Sequence, residues 1–74
     1  MSLLLPQTRE ATVLAARGVD IHGDRFVDVS LAIEGAAAPV TGRVGANECP
    51  PDLREGERVL VRIVVGVVTR VTRA

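Results

Sequence analysis

A chain of 74 residues, 47% hydrophobic and 24% charged with a formal net charge of zero, reads as one soluble globular domain. That composition excludes a disordered tail and a membrane span, and the charge balance argues against a generic polyanion binder. With a single cysteine, Cys49, there is no internal disulfide and no two-Cys metal clip, which points to a reducing, cytoplasmic setting.

Aromatic content is only 1%, so the core must be built from Val, Ala and Leu without large rings. A domain of this size buries only about 60% of the surface its unfolded chain exposes. Self-association or a protein partner is therefore an attractive way to bury more.

Residues 1–7, MSLLLPQ, read as an N-terminal tail, with Pro6 keeping it out of a helix and Leu3 to Leu5 in need of cover. The segment has no basic n-region and too short an apolar run for an export signal. Residues 8–74 read as the folded domain. Thr8 to Arg17 suits either a helix or a strand, and the strongly β character of the following chain favours a strand. Gly18 to Asp24 is expected to be a connection, marked by glycine at positions 18 and 23.

Arg25 to Glu34 alternates cleanly. Val27, Val29, Leu31 and Ile33 lie on one face, with Asp28, Ser30, Ala32 and Glu34 on the other, as in a strand with one dry side. After a short return at Gly35 to Ala37, Val40, Gly42 and Val44 form the inward side of a third strand. Gly45 to Gly56 has no periodicity, and Pro51 to Arg54 could make one helical turn with Leu53 dropping into the core.

Glu57 to Arg73, ERVLVRIVVGVVTRVTR, reads as a hairpin about Gly66. Val59, Val61 and Ile63 should face inward. A plain two-residue turn would then oppose Val61 to Arg70 on the core face. An odd connection or a glycine bulge instead pairs Val61 with Val71 and Arg62 with Arg70, keeping charge out of the core. In that register Arg58, Leu60, Arg62, Val64, Val68 and Arg70 form a half-apolar outer face, the expected interaction surface.

The predicted fold is all-β: a small five-stranded Greek-key barrel with at most one short helical turn between its third and fourth strands. In this order, and in the segment LREGERVLV from Leu53 to Val61, the chain resembles small OB-fold proteins, with a layout like bacterial translation initiation factor one. The resemblance implies the fold and carries over no functional residue. An SH3-like barrel shares strand number and length, and periodicity does not separate the two.

Asp20, His22 and Asp24 alternate as three potential metal ligands, but a solvated turn accounts for them better, and no metal or cofactor is expected. Cys49 would need a base or a positive field to act as a nucleophile, and His22 is the only histidine. Enzyme activity is not expected. The functions in view are protein interaction or homo-oligomerisation through the C-terminal hairpin and, as the alternative, weak single-stranded nucleic-acid binding. The latter would use Phe26, Arg58, Arg62, Arg70 and Arg73.

Overall fold

The computed structural model describes residues 6–74. Five strands are present: β1 (Gln7–Ile21), β2 (Asp24–Ile33), β3 (Val40–Gly45), β4 (Arg58–Val64) and β5 (Val67–Arg73). One 3-10 turn, Ala46–Glu48, follows β3. The strands form a single antiparallel sheet in the order β3-β2-β1-β4-β5. Three consecutive hairpin-linked strands with the fourth returning beside the first make a Greek key. The all-β expectation holds. Leu3 to Leu5 lie outside the described residues, whereas Gln7, expected in the tail, opens β1 opposite Ile63.

β1 serves both halves of the sheet. Gln7 to Thr12 pair with β4, while Ala11 to Ile21 pair with β2. The register shifts between Val13 and Ala15, a β-bulge at Leu14. A bulge bends its strand and strengthens the local twist, and this one sits where β1 passes from one partner to the other. Just before it, the Val13 N–H donates to the Glu57 carbonyl at 2.9 Å, and the Gly56 N–H donates to the Val13 carbonyl at 2.8 Å.

The connection expected from Gly18 to Asp24 is much shorter than the sequence suggests. Gly18 to Ile21 continue β1, opposite Val27 to Asp24, and only His22-Gly23 turn. Both have positive φ, +50° and +86°, as a type I′ hairpin turn requires. The helical turn also falls earlier than expected, at Ala46–Glu48 instead of at Pro51 to Arg54.

The core is wholly aliphatic: Ala11, Val13, Val29, Leu31, Ile33, Val44, Val59, Val61, Val68 and Val71. It draws on every strand, and Val27, Val40 and Leu53 pack against it. At one point β3 and β5, the two ends of the sheet order, come close together. A Cβ at Gly42 would stand 3.0 Å from the Val68 Cβ, so glycine permits this approach. The sheet is thus curled enough to bring its outer strands into packing contact.

Candidate interaction surface

The C-terminal hairpin adopts the expected register: Val61 pairs with Val71 and Arg62 with Arg70. Of the two means expected, the hairpin uses a bulge, placed at Thr69 and not at the glycine. Val64 pairs with Val67 across a two-residue turn, Val65-Gly66, and a bulge between Arg62 and Ile63 then leaves Thr69 without an opposite residue. The Thr69 hydroxyl donates to the Arg62 carbonyl at 3.3 Å, tying down the extra residue. Two inverted-φ residues close the turn, and one extra residue restores the parity that keeps Arg70 at the surface.

The bulge corrects the composition of the outer face. Val68, expected outside, pairs with Ile63 and is only 2% exposed. Leu60 and Val64 are half-buried, while Arg58, Arg62 and Arg70 are exposed. Along this face Leu60 stands between Glu10 of β1 and Thr72 of β5, and Arg62 stands between Thr8 and Arg70. The predicted apolar stripe is therefore interrupted. Its exposed apolar residues sit at the hairpin tip, where Val65 is 57% and Val67 60% exposed. Val65 also has φ +51°, a conformation that makes a β-branched residue a genuine outlier.

Most of the C-terminal arginines are engaged by acids of the same chain. Arg58 bridges Glu34 at 2.8 Å and Glu10 at 3.3 Å; those hydrogen bonds hold its pKa above the ordinary arginine range. Arg70 pairs with Glu48 of the 3-10 turn, with the same effect. Arg73 donates to Glu57 at 2.5 Å and to the Pro51 carbonyl at 2.8 Å. The Arg73 bond, reinforced by the Arg54 N–H, holds the Glu57 carboxyl below its ordinary value. Arg62 has no ion pair among the described residues.

Neither Asp28 nor Glu34 pairs with Arg62 or Arg70. Each serves another arginine: Asp28 takes a two-pronged contact from Arg43 at 2.6 and 2.9 Å, and Glu34 takes Arg58.

Phe26, grouped in sequence with those arginines, lies elsewhere. It is half-buried beside a cleft of about 600 Å³ shared by β1, β2 and the β3–β4 connection, whose lining includes Arg17, Gly18, Pro50 and Leu53. Arg62 and Arg70 flank separate shallow depressions with Thr8, Leu60 and Glu48. The cleft beside Phe26 takes none of these arginines into its lining, but Arg70 and Arg73 line an adjoining depression that shares Cys49 and Pro50 with it. This cleft was not anticipated, because it depends on where the aperiodic 45–56 segment lies.

Cys49 lines the same cleft without His22. Burial pushes its thiol pKa up, against a smaller opposing influence of Arg73; activation would require the reverse. Among the described residues no group of three or more His, Cys, Asp and Glu side chains could hold a metal ion. None of the described residues forms a helix long and apolar enough to cross a membrane. Compared with protein families, curated proteins and solved structures, the chain matches none.

Proposed function

We propose that this chain is a small non-enzymatic β-module of OB type that works by protein contact, self-associating through its C-terminal hairpin. The observation that carries the reading is the hairpin tip. Val65 occupies a turn position that favours Asn, Asp or Gly, and it does so more than half exposed. A positive φ at a β-branched residue costs on the order of 1–3 kcal/mol, and a side chain in solvent returns none of it. Burying Val65 and Val67 against a second copy does return it, with Val64 and Arg62 beside them.

The OB-type reading is supported by the Greek-key order and by the long irregular connection between β3 and β4. Nucleic-acid binding through Phe26, Arg58, Arg62, Arg70 and Arg73 has less support, because three of those four arginines already have carboxylate partners. Light scattering across the micromolar range tests the assembly. The expected result is a mass that rises with concentration for the native chain and stays monomeric for Val65→Asn. A native chain that remains strictly monomeric at high micromolar concentration overturns self-association, and saturable binding of single-stranded DNA or RNA at low salt would favour the alternative.

A further inference from the structure

The second half of β1 has a partner on one side only. β4 accompanies β1 from Gln7 to Thr12, and Gly56 and Glu57 bond Val13; beyond that point no described segment pairs with this side of β1 as far as Ile21. The hairpin fixes which backbone groups are left over. Ile21 and Asp24 flank a two-residue turn and so exchange both ladder bonds. Alternation gives the same role to Val19 with Phe26 and to Arg17 with Asp28. Ala16, Gly18 and Asp20 therefore direct their N–H and C=O groups away from β2, along an unpaired edge.

That edge borders the 600 Å³ cleft, whose opposite wall is the β3–β4 connection with Pro50, Pro51 and Leu53. We propose that this edge is a second interaction site, distinct from the hairpin tip, that takes an extended peptide by strand addition. The peptide's alternate residues would be apolar and acidic. Opposed residues of an antiparallel pair share a face. Residues opposite Ala16 and Gly18 lie on the face of the cleft, beside Leu53 and Val27, which pack against the core. Their neighbours fall on the face of Arg17.

Arg17 matches the acidic face of this pattern. Arg17 forms no ion pair among the described residues, although its field reaches Asp28. Arg25 stands on the cleft face instead, its Nη2 3.1 Å from where a Gly18 Cβ would be, and pairs with the exposed Asp20 at 3.5 Å, so an apolar residue opposite Gly18 packs beside its stem. Asp52 is the one acid lining the cleft. Main-chain bonds supply affinity in such strand addition and the alternate side chains supply specificity. An edge of five residues, Ala16 to Asp20, spans about 16 Å, which a hexapeptide covers.

The test uses a capped, fluorescein-labelled peptide Glu-Val-Glu-Val-Glu-Val on the full chain. Saturable anisotropy is expected, with slowed amide exchange at Gly18 and Asp20. The same peptide N-methylated at its valines keeps every side chain and loses the strand bonds, so it should bind at least about fivefold more weakly. Gly18→Pro removes an edge donor without touching a β1–β2 bond, and the same loss is expected. Arg17→Glu, on the exposed face, should weaken binding about threefold, and Val65→Asn should leave it unchanged. Equal binding of the N-methylated peptide overturns the proposal, as does displacement of the acidic peptide by its lysine counterpart or by oligothymidine. Loss of self-association with the peptide site intact would break only the hairpin reading.

Discussion

Two hairpin turns in this molecule share one backbone shape and carry opposite side chains. His22-Gly23 joins β1 to β2 with φ values of +50° and +86°, and Val65-Gly66 joins β4 to β5 with +51° and +75°. Glycine fills the second position in both, where it has no Cβ to clash. The first position separates them. Histidine is enriched among the non-glycine residues found at positive φ and leaves a polar ring in water, whereas valine is among the worst choices for the site. The difference teaches that the β4–β5 tip is not optimised for its own folding.

The largest effect expected on that comparison comes from one residue beyond the tip. Val67 is exposed and Val68 buried, although both follow the same turn. Val68→Ala should cost about 2 kcal/mol by opening a cavity beside Gly42 and Ile63, and Val67→Ala should stay within about 0.5 kcal/mol. Urea unfolding of the two variants measures this. Equal losses would mean that the Thr69 bulge does not exist in solution and that Val68 faces outward.

Exchanging the character of the turns tests the comparison itself. Val65→Asn creates the favoured Asn-Gly pair and should stabilise the monomer by about 1 kcal/mol, and His22→Val should destabilise it by a similar amount. For a domain this small each corresponds to a shift of about 4–8 °C in Tm. Scanning calorimetry at a concentration low enough to keep the chain monomeric reads both. A Val65→Asn variant that melts lower than the native chain would show that Val65 stabilises the monomer, and the tip would then need no partner.

Much of the sheet was legible because its strands bury one face. From Val27 to Ile33 alternation alone assigned each side chain correctly, and the need to keep Arg70 out of the core fixed the register of β4 and β5. What escaped was whatever depends on a single residue's backbone. Thr69 looks like any outward strand residue, yet its bulge moves Val68 from the surface to the interior. Gly18 to Asp20 look like a loop because glycine and aspartate weaken strand propensity, yet pairing with Val27 to Arg25 holds them in β1. The cleft beside Phe26 needed the path of residues 46–53, which has no periodicity from which to read it.

The hairpins differ also in how they are fastened, which gives the smallest and most local prediction. The base of β4–β5 is tied by Arg73 to Glu57, and that carboxyl is held below its ordinary value of 4.5. The β1–β2 arm has the looser Arg25–Asp20 contact at 3.5 Å, and Asp28 at its root, held below 3.8 by the Arg43 hydrogen bonds, points its tie toward β3. A carboxylate with a depressed folded pKa contributes stability above its unfolded pKa and loses it as pH falls through the folded one. Both contributions are therefore intact at neutral pH and fade below about pH 4.5, Glu57 beginning first. Amide exchange followed from pH 6 to pH 3, corrected for intrinsic rates, should show protection falling at Leu60, Thr72 and Ala74 before it falls at Val19 and Ile21. Arg73→Gln should remove that difference, because a neutral partner no longer favours the ionised carboxylate. If the two hairpins lose protection together in the native chain, the Arg73–Glu57 pair does not fasten the base of the β4–β5 hairpin.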